Sequence, residues 1–87
     1  MTVRGYVLVE AEVGKAKGVA ERIKTASRNG MAKKAKLVHV DTVTGPFDVI
    51  VQLEADDLDQ LGNAITDDLA KVEGVQRTTT CLAVRLG

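Results

Sequence analysis

The chain has 87 residues, and its twelve basic residues are cancelled by twelve acidic ones. That length makes a single domain over 1–87 burying roughly 60–65% of its unfolded surface, so its core is thin and self-association is an expected source of added stability. Zero net charge removes any general attraction to nucleic acid or a membrane. A single cysteine, Cys81, excludes an internal disulfide.

No metal-ligand spacing surrounds Cys81, and the sequence shows neither a signal-peptide pattern nor a membrane-length apolar run. A cytoplasmic protein is expected. Tyr6 and Phe47 are the only aromatic residues, so the core must be built from Val, Leu, Ile and Ala.

Residues 3–11, VRGYVLVEA, predict a strand with Val7 and Val9 on one face and Tyr6, Leu8 and Glu10 on the other. Ala16, Val19, Ala20, Ile23 and Ala26 recur at helical spacing over 14–28, opposite Lys15, Lys17, Arg22 and Lys24. Asn29-Gly30 suits the helix end. A second strand, LVHVDTV, runs to the break at Thr44-Gly45-Pro46.

FDVIVQLE predicts a third strand, with Phe47, Val49, Val51 and Leu53 alternating against Asp48, Ile50 and Gln52. Asp56 or Asp57 can cap a second helix that buries Leu58, Leu61, Ile65, Leu69 and Val72 and ends at Gly74. VQRTTTCLAVRL predicts the fourth strand. VLVEAE at 7–12 matches VIVQLE at 49–54, so two similar β-α-β units follow one another.

The order βαββαβ specifies an α+β, ferredoxin-like sandwich: a four-stranded antiparallel sheet with two helices on one face. The other face is left bare, with Leu8, Ile50 and part of the last strand on it. An uncovered apolar face marks a contact surface, and a dimer joined through its sheets, a dimeric α+β barrel, would hide it. Charge is segregated along the chain. Residues 15–36 hold eight bases and one acid, and residues 54–73 hold seven acids and one base. Two solvated helix faces lying side by side is the favoured reading. The alternative sets the basic helix of one protomer against the acidic helix of another.

Candidate chemistry is sparse. His39 stands without a partner that sequence can place beside it, Cys81 suits a small buried filler, and the Asp56-Asp57 and Asp67-Asp68 pairs suit capping and solubility. No catalytic residue, metal site, phosphate loop or cofactor motif emerges, and no enzyme is expected. The aromatic platform of an RNA-recognition sheet is missing. The turn at 43–52, VTGPFDVIVQ, remains. Gly45 supplies backbone freedom, turn amides can hold a carboxylate, and Asp48 can hold an ammonium. A plain reversal with Asp48 bonded to its own backbone explains the same residues.

TGPFDVIVQLEADDLDQL, VEGVQRTTTCLAV and YVLVEAEVGKAKGVAERI together resemble the ligand-binding module of the Lrp/AsnC transcriptional regulators, over nearly the whole chain. The resemblance implies a non-enzymatic module without the helix-turn-helix DNA-binding domain of full-length members. It implies sheet-joined dimers assembled into rings of eight or ten subunits. It also implies an amino-acid effector held between dimers by Thr44, Gly45, Phe47 and Asp48, with Arg77, Thr78 and Thr80 from the last strand. Expected partners are a small-molecule effector, further copies of the chain and full-length regulators, with no direct nucleic acid and no membrane. A structural subunit that co-assembles with such regulators is the alternative function, and a small dimeric α+β barrel enzyme using His39 a more distant one. Two features depart from the family: Phe47 replaces a tyrosine, and the connection from Ala26 to the second strand is long and adds Lys33, Lys34 and Lys36.

Overall fold

A computed structural model describes residues 2–29 and 34–84. The chain runs β1 (Val3–Ala11), α1 (Ala16–Asn29), β2 (Lys36–Thr42), β3 (Val49–Ala55), α2 (Leu58–Ala64), a short π-helical turn (Ile65–Leu69) and β4 (Val75–Leu82). Gly30 and Lys33 lie outside the described residues, as do Arg85 and Leu86 of the expected last strand.

The four strands form one antiparallel sheet in the order β2-β3-β1-β4. The two strands with matching sequences therefore pair at its centre, with Val7 opposite Val51 and Val9 opposite Val49. Period-two alternation sorts their side chains. Val7, Val9, Val49, Val51 and Leu53 are fully buried on one face, where Val19 and Ile23 of α1 and Leu61, Ile65 and Leu69 of the second helical segment pack on them. Both helices thus cover the same face, as the ferredoxin-like order requires.

Local signals explain the helix ends. Asp57 has extended backbone and its Oδ1 accepts the Gln60 N–H at 2.8 Å, satisfying one of the first-turn donors. α2 does not run unbroken to Gly74. It widens at 65–69, where the Ala70 N–H reaches back five residues to the Ile65 carbonyl at 2.8 Å. The chain then turns through Gly74, whose φ of 96° and whose Cβ position, 2.9 Å from Val19 Cγ2, both demand glycine.

Five expectations need correction. Leu58 is 54% exposed, because it is the first helical residue and falls outside the core stripe. Val72 lies beyond the helix and is half-buried. β3 begins at Val49 rather than Phe47, and β4 ends at Leu82. Cys81 is exposed, since β4 is an edge strand and Cys81 shares the uncovered face with its partner Tyr6. No helix among the described residues is long and apolar enough to cross a membrane.

Candidate functional site

The turn between β2 and β3 is held to β1 as well as to itself. The Val43 N–H donates to the Asp48 carbonyl at 2.9 Å, and the Asp48 N–H donates to the Val9 carbonyl at 2.8 Å. The Asp48 side chain also spans to β1, where its Oδ2 accepts the Ala11 N–H at 2.8 Å. That N–H needs a partner because the β1–β4 register shifts between Glu10 and Ala11, and a shifted register leaves a ladder group unpaired. The Asp48 side chain thus reaches across to β1 rather than back to its own turn. It repairs a bulge in a neighbouring strand, and only one of its oxygens is used in doing so.

Between these anchors the backbone is open. Thr44, Gly45 and Pro46 are exposed, and Phe47 and Asp48 are half-buried. Gly45 has φ of 140°, a conformation other residues rarely adopt, and a Cβ there would meet nothing within 4 Å. Thr42, Val43 and Thr44 line an open depression beside the turn.

The register places the last-strand candidates relative to this turn. Arg77 lies opposite Glu10 and Thr78 opposite Val9, so both stand at the turn end of the sheet, two strands away. They point to opposite faces. Arg77 is on the uncovered side, 75% exposed, with its Nε 4.0 Å from Glu10 Oε2. Thr78 is on the helix side and half-buried. Thr80, two register rows further in opposite Val7, does not join the turn. It lines a separate groove of about 360 Å³ with Leu58, Leu61, Ile65 and Leu82, between α2 and β4. The structure therefore gathers Thr44, Gly45, Phe47 and Asp48 at one turn, sets Arg77 and Thr78 at the same end, and separates Thr80 from them.

The uncovered face has an ordered make-up. Tyr6, Leu8 and Ile50 form its half-buried apolar centre, flanked by Gln52, Thr79 and Cys81. Charge pairs sit at both ends: Arg4 Nη2 to Glu54 Oε1 at 3.3 Å, and Arg77 with Glu10. The hydrogen bond that Arg4 donates to Glu54 is the first cause holding its exposed guanidinium above the ordinary pKa. At the β2 margin His39 Nε2 lies 3.0 Å from Asp41 Oδ1, both more than half exposed. Sequence reading placed no partner beside His39, and the signal it passed over is that residues two apart on a strand share a face. Among the described residues no group of three or more His, Cys, Asp or Glu side chains could hold a metal ion.

The Lrp/AsnC ligand-binding domain model matches residues 6–86. The chain belongs to that family. It is 31% identical over 80 residues to PH0140, an uncharacterised HTH-type transcriptional regulator of Pyrococcus horikoshii, covering 88% of this chain and 44% of that protein. The chain thus spans about half the length of such relatives. Among solved structures, TTHA0845 of Thermus thermophilus superposes with a TM-score of 0.78 at 27% identity, covering 98% of this chain and 96% of that one. The Neisseria meningitidis transcriptional regulator NMB0573, solved as a complex with L-Met, shares the fold with a TM-score of 0.72 at 17% identity, over 95% of this chain and 50% of that one. An Lrp/AsnC ligand-binding domain, related to transcriptional regulators, is what the sheet and its turn make up.

Proposed function

We propose that this domain binds a small molecule, an amino acid, at the β2–β3 turn, and that it associates with further copies through the uncovered sheet face so that the turn lies at a subunit boundary. The observation that carries this reading is the family match over residues 6–86, read together with a turn that is open on its outer side. The L-Met complex of the Neisseria regulator supports the ligand class.

Each turn residue has a role in this reading. Asp48 spends Oδ2 on Ala11, which fixes the carboxylate and leaves Oδ1 for a ligand ammonium. The backbone amides around Gly45 and the Thr44 hydroxyl offer donors to a ligand carboxylate. Phe47 offers an apolar wall, and Arg77 and Thr78 stand at the same end of the sheet. Thr80 contributes only if a second copy brings its groove to the turn. Isothermal titration of the assembled protein against the twenty amino acids tests the proposal. Binding of at least one, lost on Asp48→Ala, is expected, and no heat with any of them counts against amino-acid sensing.

The same uncovered face fits a second reading, because a domain shared with longer regulators can pair with theirs. Native mass spectrometry of mixtures with such regulators would then show mixed oligomers.

A further inference from the structure

Thr80, set apart from the β2–β3 turn, lines the groove between α2 and β4 at the other end of the sheet. The groove occupies the register rows of Val7 and Gly5, which face Thr80 and Leu82, whereas the turn is bonded to Val9. It exists because of how the helices lie. α2 packs over β3 and β1. The helix-side residues of the edge strand β4, Thr80 and Leu82, therefore stay exposed.

Three features make this groove more than a packing gap. Its lining is apolar and uncharged: Leu58, Leu61, Ile65 and Leu82 form the walls, and the hydroxyls of Thr66 and Thr80 are the polar groups. Neither hydroxyl makes a hydrogen bond among the described residues. Ile65 and Thr66 also open the π-helical turn, a local widening that recurs at functional sites. Gly62 belongs to the lining too, although neither backbone nor packing calls for glycine there. Its φ is not positive, and a Cβ would meet nothing within 4 Å. Glycine inside a helix is less favourable than alanine, so this position keeps space open at the helix's expense.

We propose that the groove between α2 and β4 is a second ligand site, complete within one copy, for an uncharged and mainly apolar small molecule that carries a hydrogen-bonding group. Its volume of about 360 Å³ falls at the lower end of the range for small-molecule sites, roughly 300–1,000 Å³. Such a ligand takes the exposed Leu58 and Leu82 side chains out of water, which drives binding. Thr66 on the helix and Thr80 on the strand meet its polar group from opposite walls. A charged ligand is disfavoured, because no lining side chain could neutralise a carboxylate or ammonium withdrawn from water. The ligand class thus differs from the amino acid proposed for the turn, and the site stands whether or not the turn binds one.

Fluorescence titration with two dyes that share a ring system and differ by one charge tests it: N-phenyl-1-naphthylamine, which is neutral, and 1-anilinonaphthalene-8-sulfonate, an anion. The unaltered protein should brighten the neutral dye to saturation at one molecule per chain and bind the anion about tenfold more weakly or less. Equal affinity for the two overturns the proposal, and this arm needs no variant. Gly62→Leu fills the groove from the helix side and should abolish saturable binding of the neutral dye. It should not lower the melting temperature, since leucine favours the helix, and it should leave amino-acid binding at the turn unchanged. Gly62→Ala, whose added methyl enters open space, preserves the fold and should weaken the neutral dye in the same direction. Ile50→Asp, on the bare sheet face, should leave its affinity as it is. Binding that survives Gly62→Leu, or that disappears with Ile50→Asp, puts the dye elsewhere and contradicts the groove.

Discussion

The two faces of this one sheet are built from alternate residues of the same strands, yet they are finished to different degrees. On one face Val7, Val9, Val49, Val51 and Leu53 have no solvent contact, because α1 and α2 close over them. On the other, Tyr6, Leu8 and Ile50 remain half-buried between charged ends. The covered face gives the domain its stability. The bare face holds an apolar centre and a polar rim, which is the composition of an interface. A chain with so thin a core has placed some of its apolar area where only another molecule can bury it.

The comparison can be broken from either side. Truncation on the covered face, as in Leu53→Ala or Ile23→Ala, should cost about 2–5 kcal/mol of folding stability, because each leaves a cavity under a helix; urea denaturation measures it. A charge on the bare face, Ile50→Asp, should leave the fold largely intact but weaken association about 100-fold, or ~2.7 kcal/mol, because a carboxylate must then be desolvated at the contact; a dilution series followed by light scattering would show it. Comparable unfolding by Ile50→Asp would mean that this face belongs to the core.

Asp48 ties the β2–β3 turn to β1, and its effect should be smaller. Asp48→Ala strands the Ala11 N–H at the β1 bulge and should cost about 1–3 kcal/mol, whereas Asp48→Asn keeps an acceptor and should cost less. Comparison of the two melting curves separates the hydrogen bond from the charge. The smallest effect is expected at Lys34. Its hydrogen bond to Asp68, foremost, and that to Asp67 hold its ammonium pKa above the ordinary value. A raised folded-state pKa gives a contribution that is complete below the ordinary lysine value and is lost as pH rises through the raised one. Lys34→Met should therefore melt slightly lower than the parent at pH 7, with the gap closing as pH rises through that raised value.

Much of this architecture was legible because it follows from period and punctuation. The valine alternation of β1 fixed both its limits and its faces, and the 3.6-residue stripe of Val19, Ala20 and Ile23 placed α1. The repeat of VLVEAE in VIVQLE marked the two strands that pair at the centre. Long-range features were not legible. The register shift after Glu10 and its repair by Asp48, 37 residues away in sequence, leave no local trace. The π turn at Ile65–Leu69 preserves the apolar spacing that a regular helix would show. Cys81 resembles a core residue until the strand order puts it at an edge. At the turn, the residue types pointed to a site, but only the fold separates Thr80 from Thr78 and sends Arg77 to the opposite face.

Sedimentation equilibrium of the unaltered protein over the micromolar range asks most directly whether a second copy completes the bare face. The account predicts particles of two or more copies throughout that range. Folded, solitary molecules at every concentration would contradict it.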